Sequence, residues 1–216
     1  MRNLVLTSIF LILTSCAVLD VNRIAPGYAE AYKAIKLNVF GYNNEIDPDL
    51  ISNIPYASMV VKIGKGPNAL MILESVNNNE YTWVSADGVY LVIKDGRIVK
   101  TLGLPNNLFT RLDPKLNWDE RIRLDKQSVS YLSFQNPTLN NLTVSSTFTV
   151  NEYQDIDLTF GKKNLRLIEE YIESELIAWK ASNDYWLDAD DFIWKSTQHI
   201  SPKLPPIHYE VTKRPL

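Results

Sequence analysis

Lys94-Asp95-Gly96-Arg97 stands between two runs of β-forming residues, Val89-Tyr90-Leu91-Val92-Ile93 and Ile98-Val99-Lys100-Thr101. Asp-Gly accepts the positive φ that both central positions of a two-residue hairpin turn require, so the two runs fold back on each other. The same punctuation recurs upstream. Gly64-Lys65-Gly66-Pro67-Asn68 separates Met59-Val60-Val61-Lys62-Ile63 from the apolar residues 69–76, Asn77-Asn78-Asn79 leads into Glu80-Tyr81-Thr82-Trp83-Val84-Ser85, and Asp87-Gly88 closes that run. A parallel crossover needs about a dozen residues or more. These connections are far shorter, so residues 57–101 read as a five-strand antiparallel meander.

The chain on either side is less regular. Residues 26–40 read as a helix, with Pro26 at its start, Ala29, Tyr32, Ile35 and Leu37 near helical spacing, and Gly41 at its end. Residues 43–55 are polar and turn-rich and read as loop. Residues 103–126, with Pro105 and Pro114, form a longer excursion holding a short helical turn near Trp118-Asp119-Glu120-Arg121. Strands resume over 128–134, and Leu142, Val144, Ser146, Phe148 and Val150 alternate with hydroxyl residues as a half-buried strand does. Ile156, Leu158 and Phe160 continue that pattern after a polar break. Over 165–182 the signals conflict: Leu165, Ile168, Ile172, Leu176 and Trp179 fall at helical spacing, while the neighbouring segments are sheet-like. Tyr185-Trp186-Leu187-Asp188 and Phe192-Ile193-Trp194-Lys195-Ser196 form a last hairpin, and the Pro-rich tail from Pro202 is extended.

The N-terminus is of another kind. Arg2 precedes a mostly apolar run over 4–13, the layout of a secretory signal. The run is too short for a hydrocarbon core, which takes about 20 apolar residues. Leu13-Thr14-Ser15-Cys16 looks like a bacterial lipobox, in which a signal peptidase cuts before the cysteine and the thiol carries a diacylglycerol. Cys16 is the one cysteine of the chain and sits where a lipobox needs it; the alternative of a buried free cysteine in an ordinary helix has no second cysteine or helix partner pattern to support it. The expected organisation is a signal peptide over 1–15, a lipidated tether over 16–25 and a single β-rich domain over 26–216. Two or three acyl chains suffice for stable anchoring. In lipoproteins of this kind an Asp after the acylated cysteine favours retention in the inner membrane; Ala17 stands there, which points to the outer membrane, facing the periplasm. The net charge of −3 becomes −4 without Arg2, which argues against a nucleic-acid partner.

Residues with chemical potential are sparse. His199 and His208 lie in a Pro-rich segment without the three or four spaced ligands of a zinc site, so they read as surface or satisfied histidines. Asp188, Asp190 and Asp191 suggest calcium, but the glycine and closing glutamate of an EF-hand loop would fall on Ile193 and His199. No metal or cofactor is expected. Glu169, Glu170, Glu173 and Glu175 are candidates for a glycosidase carboxylate pair, which needs a separation of about 5 to 9 Å across a cleft; clustered glutamates are more often a solvated face. No phosphate loop, nucleophile elbow or dinucleotide fingerprint is present, and no catalytic residue is assigned. Trp83, Trp186 and Trp194 are the candidates for stacking on sugar rings, although aromatics are also what sheet cores are made of.

Several of these pieces together resemble the group 4 capsule polysaccharide lipoprotein family, the GfcB/YjbF-like lipoproteins. The resemblance is carried by the Leu13-Thr14-Ser15-Cys16 lipobox, Thr82-Trp83-Val84-Ser85-Ala86-Asp87-Gly88, Lys94-Asp95-Gly96-Arg97-Ile98-Val99-Lys100-Thr101-Leu102-Gly103-Leu104, Asn183-Asp184-Tyr185-Trp186-Leu187-Asp188, Trp194-Lys195-Ser196-Thr197-Gln198 and Pro202. One departure is the last turn, where a glycine is usual and Asp190-Asp191 stand here. The resemblance implies a mainly β, antiparallel fold that closes as a barrel or wrapped sheet, and it tilts 165–171 toward strand. It also implies an outer-membrane lipoprotein of a capsule or exopolysaccharide secretion system, with other secretion proteins and the polysaccharide itself as expected partners. It brings no catalytic residues. Two alternatives stand beside this expectation: a β-barrel carrier of a lipid or lipid-linked glycan, and a glycan-modifying enzyme.

Overall fold

The structure is a computed structural model that describes residues 46, 48–114, 117–123 and 128–215. Cys16, the tether and the helix expected over 26–40 lie outside the described residues. The body is mainly β. After a short helix α1 (Pro48–Ser52) come β1 (Ser58–Ile63), β2 (Asn68–Asn77), β3 (Glu80–Ser85), β4 (Tyr90–Lys94), β5 (Arg97–Leu102) and β6 (Asn107–Leu112). Helix α2 (Trp118–Arg123) is followed by β7 (Ser128–Gln135), β8 (Leu139–Leu158), β9 (Gly161–Ser174), a 3-10 turn (Glu175–Ile177), β10 (Trp179–Leu187), β11 (Ile193–Gln198) and β12 (Ile207–Lys213). All twelve strands join one antiparallel sheet in the order β5-β4-β3-β2-β1-β12-β11-β10-β9-β8-β7-β6.

The order explains the shape. The β1–β5 meander stands as expected, with Asp95 and Gly96 at φ 49° and 73°. The Pro-rich tail does more than extend: it pairs with both β1 and β11 and joins the two halves of the sheet. The sheet rolls up until its end strands β5 and β6 are neighbours, so it is nearly closed into a barrel. Its roll brings the β4–β5 tip onto the opposite inner wall. The Gly96 carbonyl accepts hydrogen bonds from Tyr209 Oη at 2.7 Å and Gln198 Nε2 at 2.9 Å, and the Ile98 amide donates to Gln198 Oε1 at 2.9 Å. A Cβ on residue 96 would stand 2.1 Å from Ile193 Cδ1, so glycine serves here both the turn and the close approach.

The interior is divided. Met59, Val61, Met71, Trp83, Leu91, Ile207 and Val211 pack as an apolar half, while Ser128, Ser130, Ser146, Glu170, Ser174 and Asn183 face inward from β7 to β10. Burying such polar groups is costly unless they are hydrogen-bonded.

Three expectations are revised and one open alternative is decided. Residues 48–52, placed in a loop, form α1, closed by Ser52 Oγ and Asn53 Nδ2 donating to the Asp49 carbonyl. The excursion after Gly103 contains β6, whose alternation is broken by a register shift between Leu108 and Thr110 and whose buried positions include Asn107 and Arg111. Over 165–182, where helical and sheet signals conflicted, the strand that the resemblance favoured for 165–171 stands, and two antiparallel strands flank the 3-10 turn; Ile168, Glu170, Ile172 and Ser174 point inward with a period of two. The glutamate cluster is therefore not a uniform solvated face, because Glu170 is fully buried. Asp191 takes φ 60° in the last turn, the conformation that a glycine would otherwise supply.

Candidate functional site

The sheet's two end strands meet at a seam. Among the described residues no backbone ladder joins β5 to β6. Side chains close one end instead: the Leu108 amide donates to Thr101 Oγ1 at 2.9 Å, Thr101 Oγ1 donates to Asn107 Oδ1 at 3.3 Å, and the Leu104 amide donates to the same Asn107 oxygen at 3.0 Å. Toward the other end the seam opens into a cavity of about 580 Å³, lined by Val99 and Lys100 of β5, by Phe109 and Arg111 of β6, and by Asp113, among others. Helix α2 borders it. Asn117 and Glu120 form a reciprocal capping box at its start, with bonds of 2.8 and 2.9 Å. Trp118 anchors it in the core, donating from Nε1 to the Asp95 carbonyl at 3.2 Å and lying 4.9 Å from the Tyr185 ring.

Beneath this cavity lies a charge network. Glu170 Oε1 accepts from Arg97 Nη2, from Arg111 Nη2 at 3.3 Å and from Ser146 Oγ at 2.7 Å; Oε2 accepts from Tyr185 Oη at 2.8 Å and Asn183 Nδ2 at 3.0 Å. Asp113 accepts from Arg111 Nε at 2.8 Å and from Ser130 Oγ, and faces Arg97 Nε at 3.4 Å. Burial lowers the pKa of the Arg97 guanidinium, but Asp113 and Glu170 more than offset this and hold it above the ordinary arginine range. Burial, then Glu170, push the Tyr185 phenol well above its usual range, so Tyr185 stays a donor at physiological pH. The arginines retain unspent capacity. Arg97 Nη1 is buried with no hydrogen-bond partner, and Arg111 Nη1 has none among the described residues.

The residues singled out from sequence are scattered. Trp83 is 3% exposed in the core, where no sugar ring can reach it. Trp186 and Trp194 are half-buried and already carry cations: Lys195 Nζ is 5.2 Å from the Trp186 ring and Lys163 Nζ is 3.7 Å from the Trp194 ring. Lys163 comes from the long β8–β9 arm, which also bonds to β12 through the Thr159 amide and Glu210. Asp188 accepts from the Asp190 and Phe192 amides and from Trp194 Nε1, so it organises a turn. His208 Nδ1 bonds Thr197 Oγ1, and His199 Nδ1 lies 2.9 Å from the Ser182 carbonyl. Of the glutamates, only Glu170 reaches the network. The sequence reading missed Arg97, Arg111, Asp113, Asn183 and Tyr185. The available signal was a charge at an inward strand position, Glu170 between Ile168 and Ile172.

Comparison with known proteins agrees with this architecture. The family model for group 4 capsule polysaccharide lipoprotein GfcB/YjbF matches residues 32–211. The chain is 23% identical over 175 residues to the uncharacterized lipoprotein YjbF of Escherichia coli K12, covering 78% of this chain and 81% of that protein. It is 23% identical over 168 residues to the uncharacterized lipoprotein GfcB of the same organism, covering 76% and 78%. The crystal structure of the hypothetical lipoprotein YmcC from E. coli K12 superposes with a TM-score of 0.69 at 21% identity, over 85% of this chain and 96% of that one, and so shares the fold. With the family model spanning nearly the whole β body, the chain belongs to the group 4 capsule polysaccharide lipoprotein family.

Proposed function

We propose that this protein is an outer-membrane lipoprotein, anchored through Cys16 and facing the periplasm, that assists export or assembly of a capsular or exopolysaccharide without catalysing a reaction. The observation that carries the reading is family membership across residues 32–211. The Leu13-Thr14-Ser15-Cys16 motif and Ala17 support the address. The site's chemistry favours binding over catalysis: Asp113 and Glu170 are each held by arginines and hydroxyl donors, so neither resembles the poised proton donor of a glycosidase pair. The interior favours a rigid body over a lipid carrier, since its apolar half is filled by fully buried side chains such as Met59, Met71, Leu91 and Ile207. Other secretion proteins and the polymer are the partners of this reading.

The experiment is deletion of the gene, with surface polysaccharide measured for amount and chain length, and complementation by the wild-type gene. Loss or shortening that complementation restores supports the reading; unchanged polymer overturns it.

A further inference from the structure

The hydrogen-bond inventory of the seam is lopsided. Both oxygens of Glu170 are filled by donors, and Asp113 is engaged by Arg111, Ser130 and Arg97. Those two carboxylates are used up, while Glu80 and Asp95 also line the cavity. The donors are not, because Arg97 Nη1 and Arg111 Nη1 lack acceptors. Arg97 Nη1 is buried without a partner, so the unmade hydrogen bond there is expensive; Arg111 Nη1 is not among the buried unpartnered atoms. A ligand group that satisfies this site must bring acceptors, and a carboxylate brings charged ones.

The rest of the cavity says what carries that carboxylate. At about 580 Å³ the space falls in the small-ligand range of roughly 300–1,000 Å³. Its wall includes Phe109, 50% exposed on β6. Lys100 Nζ stands 5.8 Å from that ring, placing a second cation beside the same platform. An aromatic face, a nearby ammonium and buried guanidinium donors form a site for a charged sugar and not for a lipid tail.

We infer that the β5–β6 seam binds a carboxylate-bearing sugar residue, with the acid group toward Arg111 and Arg97 and the ring against Phe109 beside Lys100. This rests on the export reading only for where such a sugar would come from; the binding chemistry stands on the seam itself.

The test uses the acylated full-length protein in detergent, with trigalacturonate as probe and its carboxyl-reduced counterpart as control. Trigalacturonate is expected to bind with a Kd near the millimolar range, and the reduced trisaccharide about tenfold more weakly. Phe109→Ala and Lys100→Glu, both at exposed positions, are each expected to weaken binding about fivefold or more with an unchanged thermal midpoint. Equal binding of the two trisaccharides, no trigalacturonate binding at about 10 mM, or binding unaffected by both variants overturns the inference. Inorganic phosphate binding as tightly as trigalacturonate overturns the sugar assignment, since the site would then take bare anions. The two readings fail separately: polymer lost on deletion without uronate binding removes this site alone, and uronate binding with unchanged polymer removes the export role alone.

Discussion

Arg97, the first residue of β5, donates through Nη2 to Glu170 in the middle of β9, so one buried ion pair ties an end strand of the sheet to its opposite half. Arg97 is 1% exposed and Glu170 0%. Breaking such a pair from one side leaves an uncompensated buried charge, which costs about 3–5 kcal/mol. Glu170→Gln and Arg97→Met are each expected to lose about that much in denaturant unfolding. The double variant should lose less than the sum by about 1–3 kcal/mol. Strict additivity would mean that the pair does not hold the roll of the sheet.

Gly96 is the second point where the roll is fixed. An alanine there meets Ile193 and must also hold φ 73°. Overpacking of about 1–3 kcal/mol and about 1 kcal/mol for the left-handed backbone predict a loss of roughly 2–4 kcal/mol. Gly88, with positive φ and open space around its missing Cβ, is the control and should lose only the backbone part. Thermal or chemical unfolding of the two variants measures the difference; equal losses would show that the tip does not press on β11.

The seam staple makes a kinetic prediction. Thr101→Val removes the acceptor of the Leu108 amide and the donor to Asn107 while keeping the side chain's shape. A cost of about 1–2 kcal/mol is expected. Amide hydrogen exchange should accelerate at Leu108 and its neighbours in β6, and not in β1 or β12. Uniform acceleration would indicate global destabilisation and no local closure.

His208 gives the stability a pH dependence of known sign. Burial first, then Lys62, His199 and Lys195, lower its pKa below the ordinary histidine value of 6.5. The unfolded chain therefore takes up the proton first as pH falls. The stability this group contributes is present above the unfolded value and is lost as pH drops through the folded one. Thermal midpoints of the wild type should fall between about pH 7.5 and about pH 5.5 by more than those of His208→Gln. Equal drops in the two proteins would remove His208 as a source.

How much of this was legible in the sequence follows from what each signal depends on. Asp95-Gly96 and the Gly64 turn are local devices, so the β1–β5 meander was readable residue by residue. The 165–182 segment gave conflicting signals because its inward face contains Glu170, whose charge hid the alternation of Ile168, Ile172 and Ser174 from a count of apolar residues. Strand β6 was hidden in the same way by Asn107 and Arg111 and by its register shift. The charge network was illegible for a deeper reason. Arg97, Asp113 and Glu170 meet only after twelve strands have rolled the sheet onto itself, and nothing in their spacing records that closure. Trp83 shows the converse: an aromatic chosen for sugar stacking was needed for the core.

The most direct measurement of the whole account is the surface polysaccharide of a strain whose chromosomal gene carries Phe109→Ala and Lys100→Glu together, with protein abundance and outer-membrane location checked alongside. The account predicts normal protein in the outer membrane and polymer reduced several-fold, about the loss expected from two weakened contacts of a binding site. Wild-type polymer from a strain with the seam so altered would contradict it.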